Sequence, residues 1–140
     1  MANNKFSKTS LERLEGVHPI LVDLCFKVLQ YNDCKVIYGK RTLTEQAELY
    51  AKGATKTMNS WHLVQPDGFA YAVDLAPYPI DWDDTKRFYY FAGLMIALAK
   101  ETLPAGYYLR WGGNWDRDED LDDQTFMDLV HFELRRDVND

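Results

Sequence analysis

Long hydrophobic runs are missing from this 140-residue chain. Its longest apolar stretches, Ile20 to Leu29 and Phe88 to Ala99, are interrupted by Asp, Lys or Gly. Both fall short of the roughly 20 apolar residues that a bilayer span requires. The segment Met1 to Ser10 is polar and has no apolar centre of the secretory type, so synthesis and initial residence in the cytoplasm are expected. Cysteine is scarce. Cys25 and Cys34 have no CxxC spacing, and in a cytosolic chain they read as plain buried thiols. Clustered Lys and Arg are also lacking, and a formal charge of −6 disfavours sequence-independent binding to nucleic acid. No internal repeat and no Pro/Gly/Ser linker divides the chain. A single domain over 1–140 is expected, large enough for a core without metal or disulfide staples.

What is present is a mixture of helical and strand periodicities. Ser10 to Leu14 suggests one or two helical turns. His18-Pro19 then opens a second helix, with Pro in the first turn where its missing N–H costs nothing. Ile20, Leu21, Leu24, Cys25, Val28 and Leu29 share its core face. Lys35 to Gly39 reads as a strand, and Thr44 as the N-cap of a helix from Glu45 to Lys52 closed by Gly53. Ala54 to Asn59 reads as loop, and Phe69 to Leu75 as a strand stopped by Pro77 and Pro79. The longest helix is expected over Asp84 to Glu101, burying Phe88, Phe91, Ala92, Met95, Ile96 and Ala99. Tyr107 to Trp111 and Phe126 to Leu134 supply two more strands, with Gly112-Gly113 as a turn. This order predicts an α+β fold, with helices packed on a small antiparallel sheet.

His62, Asp74 and His131 stand out against that frame. Two imidazoles and a carboxylate form the mixed N/O set by which catalytic zinc is held while a fourth position stays open for water. Asp128, three residues before His131, is a carboxylate placed to handle that water's protons. On the predicted strands Asp74 and His131 lie at the sheet, and His62 on the loop leading to it. His131 and Glu133 share a parity, whereas Asp128 has the other, so a bulge or a strand starting near Asp128 must turn it inward. Taken alone, each histidine has a plainer explanation: a loop cap for His62 and a satisfied core imidazole for His131.

The neighbours bear on that choice. Gly39, Arg41, Thr42, Glu45 and Gln46; Ser60 and His62; Gly68, Ala70, Ala72, Asp74 and Pro77; Ile80 to Trp82; and Asp128, His131, Phe132 and Glu133 occur together in this order. From about His18 to Leu134 the chain resembles the zinc peptidases that include D-alanyl-D-alanine carboxypeptidases and dipeptidases. Ala76-Pro77-Tyr78, Ile80-Asp81-Trp82 and Arg110 to Trp115 are similar to the single-domain phage endolysins that cut the L-alanyl-D-glutamate bond of peptidoglycan. The resemblance implies zinc on His62, Asp74 and His131, Asp128 as general base, and Arg41 as the cation beside the oxyanion. It also implies that Ser60 and Gln46 serve substrate binding, Ser60 by orienting substrate or a ligand histidine, and that Glu133 holds a hydrogen bond behind a ligand. Peptidoglycan is the implied substrate, reached from the host cytoplasm with the help of a separate membrane-permeabilising protein, by a monomer.

Other readings remain open. A D-alanyl-D-alanine carboxypeptidase or dipeptidase would use the same metal and base on another bond. A wall-degrading component of a phage tail, or a non-catalytic wall-binding protein on the same fold, is also conceivable, although a structural zinc needs neither Asp128 nor Arg41. The chain departs from the family pattern in the eleven residues between His62 and Asp74. Leu63 to Asp67 reads as a loop insertion, with Pro66-Asp67-Gly68 as a turn that keeps both ligands in place. Asp116, Asp118, Asp120, Asp122 and Asp123 resemble a calcium loop, but without its glycine and with Met127 at its last ligand position. A solvated acidic loop is the alternative to calcium there. Trp61, Tyr71, Trp82, Trp111 and Trp115 read as core or rim packing, or as the lining of a glycopeptide cleft.

Overall fold

A computed structural model of the chain describes residues 3–53, 60–113 and 128–137. Among these residues four helices and four strands follow in the order α1 (Lys8–Leu14), α2 (Pro19–Leu29), β1 (Cys34–Tyr38), α3 (Leu43–Ala51), β2 (Ala72–Pro77), α4 (Thr85–Thr102), β3 (Tyr107–Gly112) and β4 (Asp128–Arg136). The strands form one antiparallel sheet ordered β1-β2-β4-β3. This is the α+β arrangement expected from the element order. Among the described residues no helix is long and apolar enough to cross a membrane.

Alternation decides what each face of the sheet does. Val36, Val73, Leu75, Leu109, Trp111, Phe132 and Leu134 are buried in the core cluster with Leu21, Leu24, Val28, Phe91 and Met95 of the helices. Helix α4 packs on β2, β3 and β4, and α2 packs on α4. The intervening residues of β2 and β4, Asp74, His131 and Glu133, turn to the opposite face. Cys25 and Cys34 are buried free thiols, and burial pushes the Cys25 thiol up to about 12, which leaves it unreactive.

Several details differ from those expected, most element ends by one or two residues. Thr42, not Thr44, caps α3, because Thr42 and Glu45 form a capping box in which each side chain accepts from the other's backbone N–H. Strand β2 begins at Ala72 rather than Phe69, since Ala70 makes isolated bridges to Val17 and Val64 instead of joining the ladder. Ile96 is only partly buried on α4. The inserted stretch after His62 is a short hairpin. Its turn is closed by the Gly68 N–H on the Gln65 carbonyl at 2.9 Å, and Gly68 itself takes φ +91°, where a side chain is disfavoured. The Asp67 carboxylate accepts from Phe69 N–H and Tyr71 O–H, which anchors the turn to the chain leading into β2.

Candidate active site

The two histidines reach the site by different routes. His62 precedes the hairpin and is held through its main chain: its N–H donates to Ser60 Oγ at 3.1 Å, and its carbonyl accepts from Arg41 N–H at 2.8 Å. Its ring Nδ1 lies 2.8 Å from the Gly39 carbonyl. A carbonyl only accepts, so Nδ1 carries the proton and Nε2 presents a lone pair, 3.1 Å from Asp74 Oδ1. Gly39 can occupy this place only as glycine, because an added Cβ would lie 1.8 Å from the Arg13 carbonyl oxygen. His131 stands on β4 directly opposite Asp74 on β2. Its Nε2 lies 2.7 Å from Glu133 Oε1 and its Nδ1 3.3 Å from Asp74 Oδ1.

One donor atom from each of His62, Asp74 and His131 therefore falls within 4.8 Å of the others. Each imidazole has its outer N–H fixed by a protein acceptor, which leaves its inner nitrogen as an electron-pair donor. Lone pairs that converge in this way require a positive charge between them. In the protein without metal, a proton meets that need: burial opposes a charged His131, but hydrogen bonds with Asp74 and Glu133 outweigh it and raise its pKa to about 9. Asp74 responds in the opposite sense. Burial would raise its pKa, yet the interactions with His131 and His62 hold the carboxyl well below the usual carboxylate range. A divalent cation fits the same donor set without a proton, as two neutral imidazoles and one carboxylate.

Asp128 enters through a break in register. Trp111 pairs with Phe132, but the next residue, Gly112, pairs with Asp128, so β4 bulges between them. This bulge supplies the change of parity that Asp128 required. Gly112 has no room for a side chain, since a Cβ would lie 2.1 Å from the Asp128 carbonyl oxygen. Burial raises the Asp128 pKa, and the Asp74 charge adds to it against the opposing pull of His131 and His62. Arg41 is 8 % exposed; its guanidinium lies 4.5 Å from the centroid of the Tyr38 ring, and Tyr38 pairs with Asp74 across the sheet. Gln46 is completely buried, and its amide oxygen accepts from Arg41 Nη1 at 2.8 Å. Among the described residues no group accepts from the buried Nε of Arg41.

A family model described as phage L-alanyl-D-glutamate peptidase matches residues 2–135. The chain belongs to this family. Of individual relatives, the L-alanyl-D-glutamate peptidase of Escherichia phage T5 is 29 % identical over 128 residues, covering 86 % of this chain and 88 % of the relative. The crystal structure of the Serratia marcescens L-Ala D-Glu endopeptidase ChiX superposes with a TM-score of 0.72 at 27 % identity, covering 95 % of this chain and 92 % of that one. The chain brings His62, Asp74 and His131 together and places Asp128 within reach of their charges, with Arg41 beside Tyr38 and Gln46 behind it. Ser60 touches the site through the His62 backbone. The acidic run Asp116 to Asp123, where calcium was an open reading, lies outside the described residues, as do Trp115 and Ala54 to Asn59.

Sequence reasoning noted Gly39 in a motif but did not find the role of its carbonyl, which is set by backbone conformation; the glycine itself was the trace, because the place admits no side chain. It also passed over Arg135, which shares the parity of His131 and Glu133 and donates to Glu133 Oε2 at 3.0 Å. That alternation was the available signal.

Proposed function

We propose that the chain hydrolyses the L-alanyl-D-glutamate bond of peptidoglycan stem peptides, with zinc held by His62, Asp74 and His131. The observation that carries this reading is the convergence of three electron-pair donors whose outer hydrogen bonds are already made, in a chain of this peptidase family. Zinc bound there supplies a Lewis acid that acidifies water and polarises the scissile carbonyl. Asp128 takes the proton of the attacking water and returns it to the nitrogen of the leaving D-glutamate. Its raised pKa suits both halves of that cycle, because a group easily reprotonated is also a competent acid.

Arg41 stabilises the negative charge that develops on the carbonyl oxygen, an effect worth about 10²–10³ in rate for a preorganised donor. Gln46 serves substrate by fixing Arg41 rather than by touching it, and Ser60 by fixing the His62 backbone. The single peptidase domain acts as a monomer on peptidoglycan, and a separate membrane-permeabilising protein gives it access from the host cytoplasm. Producing the chain in Escherichia cells with and without a permeabilising agent checks that last step, since lysis only with the agent is expected.

The deciding experiment is digestion of purified peptidoglycan by zinc-loaded protein beside Asp128→Ala, with new ends identified by mass spectrometry. New N-terminal D-glutamate, absent with the variant, is expected. Released D-alanine would move the chain to carboxypeptidase chemistry, and intact peptidoglycan despite bound zinc would leave a wall-binding protein.

A further inference from the structure

On the zinc reading above, we propose that Arg135 is a positioning residue that couples the two histidine-bearing segments of the centre. It stacks on Trp61, the neighbour of His62, while it holds Glu133 against His131. Its guanidinium carbon lies 4.5 Å from the centroid of the Trp61 ring. Its Nη1 donates to Glu133 Oε2 at 3.0 Å, and the other carboxylate oxygen, Oε1, takes the His131 Nε2 at 2.7 Å.

Each oxygen of Glu133 thus has a separate partner, and the carboxylate transmits the orientation of Arg135 to the His131 ring. Arg110 also approaches Glu133 Oε2, but at 3.7 Å, beyond hydrogen-bond distance, so it contributes charge and not direction. The setting differs from an exposed ion pair, whose contribution is usually small. Arg135 is 13 % exposed and Glu133 3 %. Backbone hydrogen bonds run parallel to the side-chain path: Tyr71 N–H donates to the Trp61 carbonyl at 2.8 Å, and Leu134 N–H to the Tyr71 carbonyl at 2.8 Å. The main chain therefore brings the His62 segment beside β4, and Arg135 closes the gap between the two ligand side chains.

Arginine suits this task where lysine does not. A planar guanidinium can lie over an indole and still donate in its own plane, whereas an ammonium keeps only the charge. Residues behind metal-binding histidines typically affect metal affinity about 10- to 100-fold. Zinc affinity, read by competition with a chromogenic chelator, and the visible bands of the cobalt-substituted protein are the measurements. Arg135→Ala should weaken zinc by about tenfold or more. Arg135→Lys and Trp61→Leu should each weaken it less and shift the cobalt bands. Trp61→Leu should add nothing in an Arg135→Ala background, because the two side chains act as one unit.

Melting curves of the metal-free variants separate misfolding from loss of ligand geometry. If Arg135→Ala does not fold, Arg135→Lys and Trp61→Leu carry the test. Parental zinc affinity and unshifted cobalt bands in those two, or additive losses on combination, would overturn the coupling. His131→Ala tests the premise separately. If it keeps parental zinc affinity, the ligand assignment fails and the coupling falls with it; if it loses zinc while the Arg135 variants retain it, only the coupling is wrong.

Discussion

Strand β4 places two different chemistries on its two faces. Phe132 and Leu134 are fully buried against the helices, and the Phe132 ring meets that of Phe91 edge-on at 6.2 Å. Alternating with them, His131 and Glu133 are almost as buried, at 7 % and 2 % exposure, on the face toward Asp74. Burial of an apolar side chain stabilises the fold by about 1.5–3 kcal/mol. Burial of a charged one costs several kcal/mol unless partners offset it. The helix face therefore holds the protein together, and the opposite face is held by it, with carboxylates and imidazoles stabilising one another until a cation arrives.

The largest expected effect comes from removing Asp128, the base we propose on the charged face. Asp128→Asn should lower kcat on peptidoglycan by about a hundred- to ten-thousandfold. The same change should make the metal-free protein more stable at neutral pH. Because the folded-state pKa of Asp128 lies above its ordinary value of 3.8, its contribution to stability is full below that pH and is lost as pH rises through the folded value. Asparagine does not ionise and escapes the loss. Thermal melts in chelator from pH 4 to pH 8 should show the variant's advantage growing with pH and then levelling; a constant difference would contradict the assignment.

The apolar face should behave in the reverse manner. Phe132→Ala is expected to cost about 3–5 kcal/mol in denaturant unfolding, while the molecules that remain folded bind zinc about as well as the parent. Glu133→Gln, one residue along the same strand, should lower zinc affinity by about tenfold or more, measured by competition. A Phe132 variant that lost zinc as severely as a Glu133 variant would mean that the two faces are not separable.

How much of this was legible depended on whether residue type or conformation carried the information. The cluster of His62, Asp74 and His131 could be picked out because few residue types bind metal. The helices α2 and α4 could be found because their apolar faces repeat at helical spacing. The parity of Asp128 could be recognised as a difficulty, but the bulge that resolves it depends on Gly112 meeting the Asp128 carbonyl across two strands. Gln46 was read as a substrate residue from its place in a motif. Its burial behind Arg41 is a matter of packing, which a linear pattern does not encode. The start of β2 was misplaced for a similar reason: Phe69 to Tyr71 has strand-like composition, but most of its backbone bonds go to Gly16, His18, Gln65 and Trp61, and it meets β4 through the Tyr71 carbonyl, which accepts from Leu134 N–H.

The smallest effect distinguishes two threonines two positions apart in sequence. Both Thr42 and Thr44 precede Glu and apolar residues, so either could cap α3. Thr42 Oγ1 accepts the Glu45 N–H at 3.1 Å, and Glu45 Oε1 accepts the Thr42 N–H at 3.0 Å. Thr42→Ala should therefore cost about 1 kcal/mol, whereas Thr44→Ala on the exposed helix surface should stay within about 0.5 kcal/mol. The hydrogen bonds with Thr42 hold the Glu45 carboxyl below its ordinary value of 4.5. Its contribution is accordingly present above that pH and fades as pH falls through the lowered value. The cap also lies between Arg41 and Gln46. Loosening the first turn of α3 weakens the hold of Gln46 on Arg41, so Thr42→Ala should reduce kcat by a small factor and leave zinc affinity unchanged. Equal losses of kcat in Thr42→Ala and Thr44→Ala would show that the first turn of α3 does not govern Arg41.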